Sequence, residues 1–344
     1  MAILDRPNRT TAHLNNLDDA EDGILADEGT APPGVWGDAS PILDPDTTDA
    51  QRRAAYRSPT RFHSHVLATS TSAVAKIERG RRAKPVARFR RAVNLVTETG
   101  LIAAVKPQLG KGPFHVVVDE LPPDGTLRRP MPIRQTPDCI CIGPWMLHLS
   151  SHTEIWDPRP PWESIDLKED RITELRTLGT AAARAHRATS PFIPLLLGET
   201  APYVDELSEL LALDTQPTSD FTKLISSIAG LGPGLTPAGD DFLAGLIFAL
   251  WSVHHPRAAD LGAEICRTAA VRTTLLSRAY LEAASQGYAD EKWHGLLHAL
   301  THGARSELER AAASVVSFGA TSGLDTLSGF LWTLSTAKMT MTDD

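Results

Sequence analysis

The spacing of apolar positions changes once along the chain. Between residues 63 and 149 they come in short or alternating runs: HSHVLATSTSAVAKI (63–77), RRAVNLVTETGLIAAV (90–105), FHVVVDEL (114–121) and CICIGPWMLHL (139–149). Gly80, Thr99-Gly100, Gly110-Lys111-Gly112-Pro113 and Pro122-Pro123-Asp124-Gly125 separate the runs. Short strands between turn signals predict a small antiparallel barrel or sandwich. Within TETG (97–100), Gly100 is placed to supply the positive φ of a hairpin turn. From about residue 165 the period is helical, with helices expected over 168–187, 202–213, 220–229, 238–253, 258–268, 272–286, 289–301, 304–317 and 323–336. Their connections are short, and Gly230, Gly287 and Gly303 fall where helix C-caps belong. The predicted fold class is α+β. An N-terminal β barrel or sandwich covers 55–163, and an all-helical domain carrying a glycine-rich loop covers 164–344. Residues 1–54 show neither period. They read as a disordered acidic tail with Val35-Trp36 as a docking point.

Charge sharpens this division. The net charge of −8 conceals −9 over residues 1–50, +11 over 51–91 and −10 over the rest. The tail therefore lies directly before a basic block that it is able to mask. Three cysteines do not make a disulfide framework, and the simpler setting is a reducing one. The N-terminus lacks the pattern of a secretory signal, and no apolar run reaches the length of a membrane span. The longest, Phe242 to Val253, suits a buried helix. A cytoplasmic protein without a membrane partner is expected.

The chemistry concentrates at two helix starts. Gly230-Leu-Gly-Pro-Gly-Leu-Thr-Pro-Ala-Gly-Asp-Asp-Phe-Leu-Ala-Gly245 places Thr236 at an N-cap and Pro237 at the first helical position. Gly232 and Gly234 before that cap allow backbone N–H groups to turn inward as an anion nest. The loop lacks the ending of a Walker A motif. Gly239 to Gly245 and Gly323 to Gly329 both read G-x-D-x-L-x-G, 84 residues apart. In each, the aspartate and the last glycine stand at i and i+4, on one helix face. A mid-helix glycine costs about 1 kcal/mol against alanine, so close helix–helix approach is the compensation expected. The two helices are expected to pack at Gly245 and Gly329 and to bring Asp240, Asp241 and Asp325 around one small cavity. Simple capping by acids in a first turn is the rival explanation.

These segments resemble a known family. GLGPGLTPAGDDFLAG, TTLLSRAYL (273–281) and GATSGLDTLSGFL (319–331), with RRAVNLVT (90–97) and GPFHVVVDE (112–120), are similar to AllH, a subunit of the oxamate carbamoyltransferase of anaerobic allantoin breakdown. The resemblance covers roughly residues 60–336. It implies carbamoyl transfer between phosphate and the amide nitrogen of a small carboxylate of the oxamate or oxalurate type, with partner subunits. Carbamoyl phosphate or phosphate would lie against the 230–239 loop, at Gly232, Gly234 and Gly239, and beside Gly323, with Thr236, Thr321 and Ser322 donating. Asp240, Asp241 or Asp325 would orient the N–H or act as base. Arg278 would bind the substrate carboxylate, or else make a structural ion pair. No cofactor is called for, although a carboxylate cluster is able to hold Mg²⁺.

Three other features of the sequence bear on function. His63 and His65 alternate on a strand and, with His115, offer a metal or acid/base site. Packed or surface histidines are the commoner outcome, and no zinc spacing is present. Cys139-x-Cys141 reads as core. RGRRAKPVARFRR (79–91) is a cationic stretch that a nucleic acid would attract, but it lacks repeated aromatics, so a nucleic-acid-binding protein is an alternative ranked below carbamoyl transfer. A noncatalytic scaffold or regulatory subunit of such a complex is the other alternative.

Overall fold

In the computed structural model the described residues are 61–200, Val204, Leu207 and 219–341, with side chains described as far as Thr336. The acidic tail and most of the helix expected over 202–213 lie outside them.

Nine strands form the N-terminal part: β1 (Phe62–Ser70), β2 (Arg82–Arg88), β3 (Ala92–Thr97), β4 (Gly100–Val105), β5 (His115–Val118), β6 (Met131–Thr136), β7 (Cys139–Ile142), β8 (Trp145–His148) and β9 (Glu154–Trp156). The hydrogen-bonded order β5-β4-β3-β2-β6-β7-β8-β1 closes on itself because β1 also pairs with β5. The result is an eight-stranded barrel, and β9 lies beside the C-terminal half of β1. Most pairs are antiparallel, as expected. The pairs β1–β8, β1–β9 and β4–β5 are parallel. A parallel pair needs a crossover rather than a tight turn. Between β4 and β5 that crossover is the 106–114 loop, which reaches towards the helices.

The run at 63–77 is not one strand. Ser70 ends β1 by accepting from Ala73 N at 3.0 Å, which starts helix α1 (Thr71–Arg79). Its Ala73 and Ile77 enter the barrel interior beside Trp145, Val93 and Leu147. The hairpin at 97–100 forms as predicted, with Gly100 at φ 125°. Strand β4 is buried on both faces. Ile102 and Ala104 point into the barrel, while Leu101, Ala103 and Val105 join Phe114, Val117, Leu276 and Ala279 in a second cluster outside it. That second cluster seals barrel to helices, and it explains why β4 reads as continuously apolar.

The helices are α2 (Glu169–Ala185), α3 (Ile193–Leu196), α4 (Ser219–Ile228), α5 (Ala238–Ser252), α6 (Ala258–Ala269), α7 (Leu275–Ser285), α8 (Glu291–His302), α9 (Arg305–Val316) and α10 (Ser322–Met341). Helix α5 is buried on nearly every face, at the centre of the helical core. It crosses α10 at the two predicted glycines. A Cβ on Gly245 would stand 1.9 Å from Thr326 O, and one on Gly329 would stand 2.0 Å from Phe242 O. The next atoms met are Phe330 N and Leu246 N respectively. Each of these pairs maps onto the other by the same offset of 84 residues, so the crossing is locally two-fold. Gly239 and Gly323 are also 84 residues apart and also pack against backbone, although their contacts do not share that offset. Their missing Cβ atoms would meet Ile228 O at 1.9 Å and Val315 O at 2.0 Å, each at the end of the preceding helix.

No helix among the described residues is long and apolar enough to cross a membrane.

Replacing either crossing glycine by alanine must push two backbones apart. Gly245→Ala and Gly329→Ala are each expected to cost about 3 kcal/mol or more in thermal or urea unfolding. Gly295→Ala, in α8 with no heavy atom within 4 Å of the added methyl, is the control and is expected to stabilise by about 0.5–1 kcal/mol.

Candidate functional site

A cavity of ≈ 40 Å³ lies where α5, the α7–α8 connection, α8, the end of α9 and α10 meet the barrel's 106–114 loop. That is room for roughly three waters or a compact acid. Asp241, Tyr280, Lys292, Phe318 and Gly323 line it, and the barrel contributes Pro113.

Asp241 is the predicted site residue placed most tellingly. Its Oδ2 is buried and has no hydrogen-bond partner. Burial, and then the nearby Asp325 and Asp240, push its pKa well above the usual carboxylate range, against a lowering by the Ser322 and Thr236 hydroxyls. The shift favours the neutral acid form, which donates to a ligand oxygen rather than taking up a proton.

Asp240 turns the other way. Its Oδ1 accepts from Gly230 N at 3.0 Å, and its Oδ2 accepts from the Thr273 hydroxyl. The Thr274 hydroxyl donates to Leu235 O while also capping α7. Thus the TTLLS segment and the glycine loop are tied together, and Asp240 is the knot. One N–H of the loop, that of Gly230, is thereby met by an internal carboxylate. The N–H groups of Leu231, Gly239 and Asp241 are also used, on Ile228 O, Leu231 O and Pro237 O. Gly230, Gly232 and Gly234 all take positive φ, at 73°, 111° and 94°. Gly232 and Gly234 lie exposed and do not line the cavity beside Asp241.

Thr236 does not cap α5. Pro237 holds that position, and the Thr236 hydroxyl lies 2.9 Å from the Ser322 hydroxyl, which ties the starts of α5 and α10 together. Thr321 O receives Asp325 N at 2.9 Å. Asp325 is fully buried and accepts from the Ser190 hydroxyl on Oδ1, while Oδ2 has no partner. Burial raises its pKa to about 7. The three aspartates therefore share a neighbourhood, with Asp240 bonded to Gly230 and Thr273, Asp325 to Ser190, and Asp241 lining the cavity. No group of three His, Cys, Asp or Glu among the described residues is arranged to hold a metal ion.

Arg278 is exposed and pairs with Glu282 at 2.8 Å on its own helix, so the structural ion pair is what forms. The cation at the cavity is Lys292. Its ammonium lies 4.5 Å from the centre of the Phe318 ring and makes no ion pair among the described residues. Asp290 beside it caps α8, accepting from Lys292 N at 2.9 Å and Trp293 N at 3.1 Å. Neither residue was singled out from the sequence, although D-E-K at a helix start was a usable signal.

His115 does not join His63 and His65. Those two sit exposed on the barrel exterior, with His63 bonded to His148 at 2.8 Å. His115 is buried, and burial lowers its pKa to about 4. Its Nδ1 lies 3.0 Å from Gly110 O, so Nδ1 carries the proton and Nε2 is bare. Nε2 then accepts from the Tyr280 hydroxyl at 3.5 Å. The barrel thereby helps to orient a cavity residue. Cys139 and Cys141 are free thiols with Sγ atoms 3.7 Å apart.

Glycine loop, TTLLS helix and second G-x-D-x-L-x-G thus form one connected structure around Asp241. Residues 228–334 match the family of the oxamate carbamoyltransferase subunit AllH. The AllH match runs from the end of α4 into α10, so it contains every helix of the cavity and leaves the barrel outside. No solved structure matches the chain.

The raised pKa of Asp325 carries a stability signature. Between the unfolded value near 4 and about 7, the folded chain keeps a proton that the unfolded chain releases, so stability falls as pH rises through that window and is level above it. Asp325→Asn removes the titration. Its stability relative to wild type, from urea melts, is expected to improve by about 1–3 kcal/mol between pH 4 and pH 8. An unchanged difference across that range would contradict the assignment.

Proposed function

We propose that this chain is a carbamoyltransferase subunit that binds a small carboxylate-bearing amide of the oxamate type in the cavity beside Asp241. The observation carrying this reading is that one cavity brings together Asp241, whose buried Oδ2 has no hydrogen-bond partner, and Lys292, which makes no ion pair among the described residues, inside the segment that matches AllH. Lys292 would hold the substrate carboxylate. Asp241 would donate to a carbonyl oxygen on which negative charge grows as the carbamoyl carbon is attacked. Tyr280, oriented by His115, supplies a further polar contact at the wall. Aromatic and apolar walls keep water out and strengthen both interactions.

Transfer from carbamoyl phosphate would form a C–N bond to the amide nitrogen while the C–O bond to phosphate breaks, and phosphate leaves with the electron pair. Asp241 in its acid form does not take the amide proton. That proton needs a base from another group or from a partner subunit, which fits a multisubunit enzyme.

The test uses the complex reconstituted with its partner subunits. Lys292→Met is expected to raise the KM for oxamate at least tenfold. Asp241→Asn is expected to lower kcat about 10²-fold, the scale for losing one donor to a developing oxyanion. Arg278→Met is expected to behave as wild type. Full activity in both Lys292→Met and Asp241→Asn would instead assign this chain a scaffold role.

A further inference from the structure

The local two-fold at the α5–α10 crossing has a second consequence. The 84-residue offset carries Ala244 and Phe248, which line the cavity beside Asp241, onto Ser328 and Trp332. Ser328 and Trp332 line a separate cavity of ≈ 480 Å³ on the opposite side of the crossing, between α2, α3 and α10. That volume lies in the range of small-molecule sites. Thr180, Leu196 and Ser335 complete its wall, and Arg176 supplies a cation.

Two polar groups on that wall lack partners. The Ser328 hydroxyl is 1% exposed and makes no hydrogen bond. Arg176 Nε is buried and equally unpartnered, and the residue makes no ion pair among the described residues. Burial lowers the Arg176 pKa without a carboxylate to offset it. Thr180 and Ser335, by contrast, spend their hydroxyls on Leu196 O at 2.7 Å and Leu331 O at 2.9 Å. Glu199 stands at the exposed rim and leaves the inner wall positive. A part-buried guanidinium whose enclosed Nε has no partner costs stability, as does a buried hydroxyl without one, so a ligand that satisfies both is the simplest compensation.

We propose that this cavity is a second anion site, taking a small carboxylate or phosphate between the Arg176 guanidinium and the Ser328 hydroxyl. The planar guanidinium matches either oxyanion. The proposal stands apart from the role given to Lys292.

Calorimetric titration of the purified full chain with inorganic phosphate, and separately with oxamate, tests it. One of the two anions is expected to lose at least tenfold in affinity in Arg176→Met and in Ser328→Ala, and to bind Arg278→Met, whose arginine is exposed and paired with Glu282, as it binds wild type. The anion that responds tells phosphate from carboxylate. Without ligand, Arg176→Met is expected to melt at the same temperature as wild type or higher, because it removes a part-buried charge that makes no ion pair among the described residues. A lower melting temperature would mark Arg176 as structural and overturn the proposal. Binding of both anions unchanged in the two variants, or no binding of either to wild type, would overturn it as well. If Arg176→Met does not fold, Ser328→Ala decides alone, with unchanged affinity counting against the site.

Discussion

The contact between Gly245 and Thr326 O, repeated as that between Gly329 and Phe242 O, is the constraint on which the helical region depends. Hydrogen takes the place of a methyl group at two points, and the backbones of α5 and α10 meet there. The cost of two mid-helix glycines, about 1 kcal/mol each against alanine, is offset by packing that no side chain would permit. Once the helices touch at that depth, the first turn of each lies inside the protein rather than at its surface. Asp325 is then buried by position, and Asp241, though partly exposed as a residue, has its Oδ2 shut off from solvent. The high pKa values follow from the crossing and are not an independent property of the residues.

Local symmetry does not make the two sides chemically alike. On one side the aspartate faces a small cavity closed by Lys292, Phe318 and the barrel's Pro113. On the other it is covered by Ser190, and the open space shifts along α10 to Ser328 and Arg176. A repeated backbone device has thus been given different cations, lysine against arginine, and different volumes. The barrel matters on the first side only. Its parallel β4–β5 crossover delivers Pro113, Phe114 and His115 to α7, and Lys111 O receives Glu291 N at 3.0 Å at the start of α8.

Much of this was legible in the sequence where one local rule decides the outcome. Period and glycine placement found the helices, the 97–100 hairpin and the Gly245–Gly329 crossing. Strand β2 was hidden because its exposed face is a run of Arg and Lys, and α1 because its apolar positions continue those of β1. The site was read less completely, for a physical reason. A glycine loop before a helix looks like an anion nest, and only the fold shows that the chain's own Asp240 meets one of its N–H groups. A substrate role for Arg278 supposes that the TTLLSRAYL helix buries it, but it is exposed and has Glu282, four residues on, as a partner in its own helix. Lys292 reaches the cavity through tertiary packing against Phe318, which sequence spacing does not encode.

The central claim is that the crossing holds Asp241 protonated at the cavity wall. Carbon-13 NMR of the aspartate side-chain carboxyls, with Asp241→Asn used for assignment, measures this directly. The account predicts that the Asp241 carboxyl keeps the chemical shift of the acid form at pH 7 in the unliganded protein. A carboxyl that titrates near pH 4, as an ordinary aspartate does, would contradict it.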